Sequence, residues 1–398
     1  MFGNKVITNE NTVKEILERG VEEVIEKEHL KERLSKGEKL RVKLGIDPTA
    51  KDLHLGHTVV LRKLKHFQDA GHQAIFIIGD FTATVGDPSG RNELRPTLTK
   101  QQIEENMRNY LTEAGKVIDI KKTEIRYNSE WYKNKGTNFL MDLTSKFTIA
   151  RMLERDDFQK RLKEDRDISL LEILYPILQG YDSFEVKADV EIGGTDQKFN
   201  LLTGRKVQKR YGQPEQDIVT TPLIEGLDGV KKMSKSLGNY VGISDEPKNM
   251  FGKLMSIPDD LMVKYFTLLT DVAREDIEQL KKDRLNPATA TRSPKEWKEY
   301  LAFEIIRMYY NEREAQKAKE EWDKVFSKGE LPSEMEEVET DKLVDLVSKV
   351  TKGSNSASKT LIDQGAVKVN NEIKKEWGFV PASGDVVQIG PRKFVKIK

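Results

Sequence analysis

The sequence contains no cysteine among its 398 residues, which excludes disulfide bridges, thiolate metal sites and a cysteine nucleophile. It also lacks an excess of either charge, because 67 basic and 66 acidic side chains leave a formal net charge of +1. Any preference for a charged partner must therefore lie in particular regions. No apolar run is long enough to span a bilayer, and the first residues lack the apolar core of a signal peptide. We expect a cytoplasmic protein without a membrane partner, long enough for two or three domains.

The sequence has no G-x-x-x-x-G-K-[ST] segment, so nucleotide binding through a P-loop is not expected. Side chains suited to phosphates are found instead in HLGH at residues 54–57 and KMSKS at residues 232–236. His54 and His57 share one face at the start of a predicted helix, above backbone N–H groups and the positive end of the helix dipole. Gly56 keeps that surface open. The pair predicts a site for a nucleotide triphosphate, although H-x-x-H alone also fits a surface pair or a partial metal site.

Lys232 and Lys235 lie in a glycine-rich loop from which their ammonium groups can reach the β and γ phosphates as charge develops there. Together with the histidines they suit nucleotidyl transfer, in which a carboxylate attacks the α-phosphate of ATP and pyrophosphate leaves. Such a reaction needs positioned reactants and stabilised phosphate charge, and it needs no covalent nucleophile.

The histidine pair lies in a strand-turn-helix-strand pattern. Residues 40–46 alternate polar and apolar, residues 47–50 form a turn, and residues 53–70 have helical periodicity. Residues 74–79 have the apolar run of a buried strand, which completes a β-α-β unit. His54 is therefore expected just past the carboxyl end of a strand, where nucleotides bind in open parallel sheets.

Further motifs follow one family's order along the chain. They are GIDPTA at residues 45–50, GDPSG at residues 86–90, YxxxQxxD at residues 175–182 and GGTDQ at residues 193–197. With HLGH and KMSKS they resemble the bacterial tyrosyl-tRNA synthetases, which are class I aminoacyl-tRNA synthetases. The resemblance implies a Rossmann-like α/β catalytic domain. Alternating strand-like and helix-like segments from residue 40 to residue 227 also predict a mostly parallel sheet with helices on its faces.

Composition changes along the chain predict further domains. Residues 1–36 are charged and predicted helical, and residues 256–326 carry the apolar stripes of a helical domain. Residues 330–341 contain six acidic side chains and no basic one, which is typical of a flexible linker. The predicted boundaries are a catalytic domain at 1–227, the KMSKS loop and linker at 228–255, a helical domain at 256–329, an acidic linker at 330–340 and a small domain at 341–398. The resemblance implies that the helical domain faces the tRNA anticodon and that residues 98–189 include an insertion that builds a homodimer interface.

One predicted helix carries the residues expected to select the amino acid. Tyr175, Gln179 and Asp182 have the spacing i, i+4, i+7 and project from one helical face. On spacing alone, a face turned to solvent is the other interpretation. The resemblance implies that Tyr175, Gln179 and Asp87 hold the ammonium group of tyrosine and that Asp182 receives its phenol. Phenylalanine would leave that carboxylate without its hydrogen bond, which would explain selection against it.

Lys43 departs from the family pattern. Many bacterial members have a tyrosine two residues before the glycine of the GxDPTA motif, and this chain has a lysine there. The tyrosine pocket must therefore differ in detail. One hypothesis is that Lys43 pairs with Asp182 or another carboxylate, lowering that carboxylate's pKa and keeping it a hydrogen-bond acceptor.

The GGTDQ segment follows strand-like residues 186–192 and precedes a predicted helix, and its glycines let a ligand approach the backbone closely. An ordinary strand-to-helix turn capped by Thr195 is the alternative interpretation. The resemblance implies that Asp196 binds the ATP ribose, that Gly194 belongs to the ATP site, and that Gln197 binds the tyrosine carboxylate or the acyl carbonyl. It also implies an ATP or phosphate contact for Thr49, Gly56 and Ser236, and a tyrosine pocket that includes Lys43, Gly45, Asp47 and Thr82, the last at its amino-group end.

Arg91 and Arg95 follow the GDPSG turn, where the family has basic residues near the departing pyrophosphate. Surface solubility is their alternative role. Mg2+ is expected to arrive with ATP, and no resident metal is predicted because one carboxylate, Asp87, does not make a metal cage.

The last part of the chain is unusually basic. Residues 341–398 carry 11 basic and 6 acidic side chains, a net charge of +5. Residues 356–372 resemble an S4-type RNA-binding domain, with a helix, a glycine turn and a strand. Lys359 and Lys368 are expected to meet RNA phosphates and to give salt-dependent affinity. The alternative is a solvated basic cap whose electrostatic partner is the acidic linker.

The resemblance implies an enzyme that makes tyrosyl-adenylate and pyrophosphate from tyrosine and ATP, then transfers tyrosine to the 3′ end of tRNA(Tyr) and releases AMP. A tryptophanyl-tRNA synthetase is disfavoured by the S4-like tail and by the residues of the segment 175–182. A small-molecule nucleotidylyltransferase of the same fold is disfavoured by KMSKS and the tail. A regulator that has lost catalysis is disfavoured because none of the phosphate motifs is damaged.

Overall fold

The computed structural model describes residues 6–89, 98–327, 330–332, 335–339, 342–390 and 393–398. These residues form two compact units, of which the first ends at Glu312 and the second begins at Arg313. The finer domain boundaries given above stay predictions. None of the helices in the described ranges combines the length and the apolar character that crossing a membrane requires.

A six-stranded sheet forms the centre of the first unit. Its strands are β1 (Glu23–Ile25), β2 (Arg41–Ile46), β3 (Gln73–Ile78), β4 (Glu124–Tyr127), β5 (Val190–Gly194) and β6 (Asp217–Thr221). They lie in the order β1-β6-β5-β2-β3-β4. Strands β2 to β6 are parallel to their neighbours, whereas β1 runs antiparallel to β6 at one edge. The mostly parallel α/β fold predicted from the sequence is confirmed.

Helices join these strands and continue after them. The α-helices of this unit are α1 (Glu10–Glu18), α2 (Lys27–Lys36), α3 (Leu55–Asp69), α4 (Thr82–Val85), α5 (Lys100–Ala114), α6 (Ser129–Tyr132), α7 (Thr137–Ser145), α8 (Ile149–Met152), α9 (Asp156–Lys163), α10 (Leu170–Glu185), α11 (Lys198–Arg210), α12 (Pro247–Met255), α13 (Met262–Leu269), α14 (Arg274–Leu285) and α15 (Pro294–Tyr309). Thr99 and Ser169 cap α5 and α10 with the reciprocal hydrogen bonds of a capping box, as their sequences predict.

Strand β1 corrects the helical prediction for residues 1–36. Val24 and Ile25 pair with Val219 and Ile218 of β6 instead of extending a helical stripe. Sheet pairing outweighs local helical tendency here, because β-branched side chains fit the edge of an existing sheet. The prediction holds for α1 and α2 and is wrong for the segment between them.

The parallel strands bring their carboxyl ends to one edge of the sheet. Ile46 at the end of β2 pairs with Ile78 at the end of β3, and Gly194 of β5 pairs with Thr221 of β6. Residues 74–78 of β3 are no more than 1% exposed, as expected of a strand covered on both faces. The loops that carry GIDPTA and GGTDQ therefore leave the sheet side by side.

The apolar stripes predicted in residues 256–326 pack as the core of helices α13 to α15. Buried members of the stripes are Met262, Tyr265, Phe266, Leu269, Leu301, Ile305 and Tyr309. The stripes thus act in packing, as expected for helices with one apolar face.

The second unit combines helices with a second sheet. Its elements are α16, which begins at the division between the units (Glu312–Trp322), α17 (Leu343–Thr351), α18 (Asn355–Asp363), β7 (Glu336–Val338), β8 (Val367–Val369), β9 (Glu372–Ile373), β10 (Val386–Ile389) and β11 (Lys393–Ile397). The strand order is β7-β11-β10-β8-β9, and an apolar core includes Leu346, Val347 and Ile362. Helix α18, Gly365 with φ +71° and β8 form the helix, glycine turn and strand predicted there. The predicted small α+β fold is confirmed.

One stretch of the predicted acidic linker is ordered as a strand. Glu336–Val338 pairs in parallel with β11. A flexible linker was wrong for these residues, since the open edge of β11 supplies backbone partners that composition alone does not reveal.

Candidate active site

A cavity of about 1030 Å³ opens at the carboxyl ends of β2 and β5. It brings together residues predicted from widely separated motifs. They are Lys43, Gly45, Asp47, Thr49, His54, Gly56, His57, Thr82, Asp87, Tyr175, Gln179, Asp182, Gly194, Asp196, Gln197, Lys232, Lys235 and Ser236. Arg91 and Arg95 lie outside the described residues, and Lys359 and Lys368 belong to the second unit. These motifs, far apart in the sequence, therefore meet in one cavity. The role of each residue stays a prediction.

The HLGH segment starts helix α3, with His54 as its N-cap. His54 Nδ1 accepts a hydrogen bond from the Gly56 N–H at 3.1 Å, and His57 Nδ1 accepts one from the His54 N–H at 3.2 Å. Because Nδ1 is an acceptor in both rings, each neutral imidazole carries its proton on Nε2. A Cβ at Gly56 would lie 2.8 Å from His54 Cε1, so glycine lets this ring fold over the helix start.

Both histidines are neutral at physiological pH. Burial lowers the pKa of His54 to about 2, with smaller contributions from His57 and Lys235. Burial likewise lowers the pKa of His57 to about 4, and Lys235 adds to the shift. The rings can therefore offer phosphate oxygens an Nε2–H hydrogen bond without a formal positive charge.

The two lysines of KMSKS are held by carboxylates. Lys232 Nζ lies 3.2 Å from Asp196 Oδ2, and Lys235 Nζ lies 2.9 Å from Asp52 Oδ2. Each ion pair includes a side chain at least 44% exposed, so solvent screens it and it opens at little cost. Asp52 was not predicted from the sequence. Its position two residues before His54 could have indicated that it lies near the site.

Asp182 lies on α10 with two hydrogen-bond donors from the segment after β4. Trp131 Nε1 donates to Oδ1 at 2.9 Å, and Asn128 Nδ2 donates to Oδ2 at 3.2 Å. Burial raises the pKa of Asp182 to about 6, although Lys43 and these donors act in the opposite direction. The group is therefore a carboxylate at neutral pH. Neither donor was predicted from the sequence. Their position just past the carboxyl end of a parallel strand could have indicated that they belong to the site.

Asp47 of the GIDPTA motif ties two parts of the cavity wall together. The Tyr175 hydroxyl donates to Asp47 Oδ2 at 2.9 Å, and Thr82 Oγ1 donates to Asp47 Oδ1 at 2.7 Å. Burial raises the pKa of Tyr175 well above its ordinary value, so this phenol stays protonated. Thr82 also accepts from Asn128 Nδ2 at 2.9 Å, which places it beside the donors of Asp182.

Asp87 belongs to a second polar group. Gln197 Nε2 donates to Asp87 Oδ2 at 2.6 Å, and Asn200 Nδ2 donates to Gln197 Oε1 at 2.9 Å. Arg155 Nη1 donates to Asn200 Oδ1 at 2.7 Å, which fixes the orientation of this buried amide. Asn200 was missed, although it follows Gln197 by three residues on one helix face. Arg155 has no sequence signal that we can identify.

The carboxylate paired with Lys43 is Glu191 on β5. Lys43 Nζ lies 2.8 Å from Glu191 Oε1. It also donates to Ser183 Oγ at 2.7 Å and to the backbone carbonyl of Gln179 at 3.0 Å. The sequence left open whether Lys43 pairs with Asp182 or with another carboxylate, and in the structure its partner is Glu191. Lys43 still lowers the pKa of Asp182. Glu191 was missed because its strand has the apolar character of a buried element.

Comparisons with known proteins identify the family of this chain. Residues 34–327 match the family model described as tRNA synthetases class I (W and Y). The tyrosine–tRNA ligase of Thermotoga maritima is 49% identical over 98% of each chain, and that of Aquifex aeolicus is 47% identical over 96% of this chain and 97% of the other.

Solved structures share the fold. The C-terminally truncated mitochondrial tyrosyl-tRNA synthetase of Aspergillus nidulans matches with a TM-score of 0.66 at 19% identity, covering 80% of this chain and 95% of the other. The L-tyrosine complex of the Archaeoglobus fulgidus tyrosyl-tRNA synthetase matches with a TM-score of 0.62 at 23% identity, covering 78% of this chain and 99% of the other. By sequence identity and coverage, the chain belongs to the tyrosine–tRNA ligases of the class I tRNA synthetases.

Proposed function

We propose that this enzyme attaches tyrosine to tRNA(Tyr) in two steps. In the first, a carboxylate oxygen of tyrosine attacks the α-phosphorus of ATP, and the bond to the bridging oxygen breaks to release pyrophosphate. In the second, a ribose hydroxyl of the terminal adenosine of tRNA attacks the acyl carbon of tyrosyl-adenylate, and AMP leaves. Mg2+ enters as part of the ATP complex.

The observation that carries this proposal is the single cavity that joins the HLGH and KMSKS segments to the face of α10 with Tyr175, Gln179 and Asp182. Relatives of nearly the same length carry the name tyrosine–tRNA ligase, which supports the substrate. The likeness to an L-tyrosine complex supports the fold of such a site.

Charge stabilisation explains the role proposed for the phosphate motifs. His54 and His57 offer neutral Nε2–H donors, and Thr49 adds a hydroxyl on the same cavity wall. Lys232 and Lys235 leave Asp196 and Asp52, with which each forms a pair that has one exposed member, and meet the β and γ phosphates as pyrophosphate departs. Donors that are already oriented by the backbone need little reorganisation in the transition state.

Selection of tyrosine is assigned to Asp182. Its carboxylate accepts the phenol O–H, while Trp131 and Asn128 hold it in place. Phenylalanine in the same pocket leaves one carboxylate lone pair without a partner, which costs binding energy. At the other end, Asp87 and Gln179 present acceptors to the ammonium group, with Tyr175 beside them.

Macromolecular contacts are proposed for two further regions. The basic residues 341–398 of the second unit, with Lys359 and Lys368, bind tRNA phosphates. A second copy of the chain covers the insertion between β4 and β5, where apolar side chains are exposed on α7 to α10. They are Leu140 at 40%, Met141 at 70%, Ile149 at 62%, Leu162 at 49% and Leu170 at 74% exposed.

Pyrophosphate exchange measured separately with each amino acid tests the proposal. We expect exchange with tyrosine and none with phenylalanine or tryptophan. We also expect the enzyme to charge tRNA(Tyr). Exchange with tryptophan would indicate a tryptophanyl-tRNA synthetase. ATP turnover without any amino acid dependence would indicate a small-molecule nucleotidylyltransferase, and RNA binding without exchange would indicate a regulator.

A further inference from the structure

A buried ion pair lies below the proposed tyrosine pocket. Lys43 on β2 and Glu191 on β5 stand opposite each other in the sheet, and their charged atoms are 2.8 Å apart. The two side chains are 0% and 1% exposed. Taking two charges out of water is costly, and a pair of apolar side chains often serves stability equally well. Stability alone therefore does not account for the pair.

The pair is fully engaged with helix α10. The Lys43 ammonium donates its three protons to Glu191 Oε1, to Ser183 Oγ and to the backbone carbonyl of Gln179. Glu191 accepts from Lys43, from Ser183 Oγ at 2.9 Å, from Gln179 Nε2 at 3.2 Å and from Gln216 Nε2. Both charged groups of the pair are therefore hydrogen-bonded, and a buried polar network around them holds its members in one arrangement.

The contact with Gln179 has a chemical consequence. An ionised carboxylate only accepts hydrogen bonds, so the side of the Gln179 amide that faces Glu191 must be its NH2 group. The amide oxygen is then turned to the other side, where Asn200 Nδ2 donates to it at 3.1 Å. An apolar neighbour in place of Glu191 would not distinguish the two orientations of this amide.

The Gln179 oxygen joins other acceptors on the cavity wall. Asn200 Nδ2 lies 2.9 Å from Gln197 Oε1, 3.1 Å from Gln179 Oε1 and 3.4 Å from Asp87 Oδ1. Gln179, Gln197 and Asp87 all line the cavity, and oxygen acceptors grouped this closely suit a cation such as an ammonium group. Glu191 also cancels the charge of Lys43, which would otherwise repel a cation bound nearby.

We propose that Glu191, held by Lys43, is a positioning residue that fixes the Gln179 amide with its oxygen toward the ammonium group of the amino acid. It acts through Gln179 and does not touch the substrate. The inference rests on the proposed function, because it assigns a ligand group to that same pocket.

Three ligands that differ in their charged groups test the proposal in Lys43→Met/Glu191→Met. Tyrosine and tyramine carry the ammonium group, and 3-(4-hydroxyphenyl)propanoate lacks it. The KM of tyrosine and the inhibition constant of tyramine in pyrophosphate exchange are expected to rise by about tenfold or more, because an oriented hydrogen bond to a charged group is removed. The inhibition constant of the propanoate and the KM of ATP are expected to change by less than about twofold.

Two further variants separate positioning from folding. Arg161→Met/Glu172→Met removes another buried ion pair of α10, with side chains 0% and 4% exposed, and is expected to leave all these constants within about twofold. Lys43→Met/Glu191→Gln restores an oxygen opposite Gln179 and is expected to regain part of the affinity. If the Met pair does not fold, this Gln variant provides the test, with a smaller loss confined to tyrosine and tyramine.

Equal weakening of all three ligands, or no weakening, overturns the positioning role. A wild-type enzyme that exchanges no pyrophosphate with tyrosine overturns the proposed function instead, so the two failures can be told apart.

Discussion

The role proposed for Asp182 makes the choice between tyrosine and phenylalanine depend on pH, because burial raises the pKa of this carboxyl to about 6. In the proposed binding mode, Asp182 accepts the phenol hydrogen bond as a carboxylate above that pKa, and below it the neutral acid accepts poorly. The tyrosine-to-phenylalanine ratio of kcat/KM is therefore expected to be constant above about pH 7 and to fall about tenfold per pH unit below the pKa, since kcat/KM reports groups of the free enzyme. Pyrophosphate exchange over this pH range measures it.

Asp182→Asn is the control for this pH effect. Its ratio is expected to be low at every pH, because the amide has no proton to lose and offers only one acceptor oxygen. A wild-type ratio that does not change with pH would contradict the role of the carboxylate.

His54 offers a second test at the residue scale, because it caps α3 and presents an Nε2–H donor. An asparagine can cap a helix with its oxygen and donate with its NH2 group, whereas alanine does neither. His54→Asn, which keeps the cap and a shorter N–H donor, is expected to retain more of kcat in pyrophosphate exchange than His54→Ala, which is expected to lower it about 10²-fold, the usual effect of removing one donor to a charged transition state. The KM of tyrosine serves as the control and is expected to stay unchanged. Equal losses in both variants would contradict a hydrogen-bonding role.

Individual residues could be predicted where a motif contains the whole chemical unit. HLGH includes both rings and the glycine that their packing requires, and the spacing of Tyr175, Gln179 and Asp182 suffices to put them on one face. Glu191 and Asn200 were not predicted, because their partners come from other strands and helices. The choice of Glu191 as the partner of Lys43 depends on the register of β2 and β5, which the sequence does not reveal.

At the scale of elements, the loop with KMSKS brings two ammonium groups to the cavity. Lys235 is paired with Asp52, whose side chain is 48% exposed, so the pair opens easily. Lys235→Ala is expected to slow adenylate formation by about 10²-fold while the Kd of tyrosine stays the same, since the lysine acts on charge that develops in the transition state. Stopped-flow measurement of adenylate formation and equilibrium dialysis with tyrosine give the two quantities.

Asp52→Asn controls for the loss of the ion pair itself. It removes the partner and leaves the lysine, so the rate is expected to change by less than about threefold, as for a screened surface pair. Comparable losses of rate and of tyrosine affinity in Lys235→Ala would remove this lysine from the transition-state role.

Elements with strong periodicity or clear caps could be predicted closely, and α5, α10 and β3 are examples. Elements that exist because a partner strand is available could not. Both β1 and β7 have three residues and depend on an open sheet edge, provided by β6 and β11. Local composition pointed to a helix in one case and to a flexible linker in the other, since pairing between distant segments outweighs weak local preference.

At the scale of the whole molecule, a nearly neutral chain contains a distinctly basic tail. Residues 341–398 carry a net charge of +5, and they belong to a unit with its own apolar core. The fold class and the approximate order of the regions could be predicted from the sequence. The division at residue 312 could not, because compactness depends on contacts between helices whose sequence patterns look alike on both sides of it.

The basic tail leads to a prediction about salt. Lys359 lies over the exposed ring of Trp377, with Nζ 4.6 Å from the ring centroid, and Lys368 is on β8. Lys359→Ala/Lys368→Ala is expected to leave pyrophosphate exchange unchanged and to weaken tRNA(Tyr) binding, with a salt dependence of log Kd shallower by about one for each phosphate that the variant no longer neutralises. Filter binding at several salt concentrations measures this slope. Lys14→Ala/Lys36→Ala removes two exposed lysines from α1 and α2, and its slope is expected to equal that of the wild type. If the two double variants have the same slope, the tail is a solvated basic surface and tRNA phosphates are bound elsewhere.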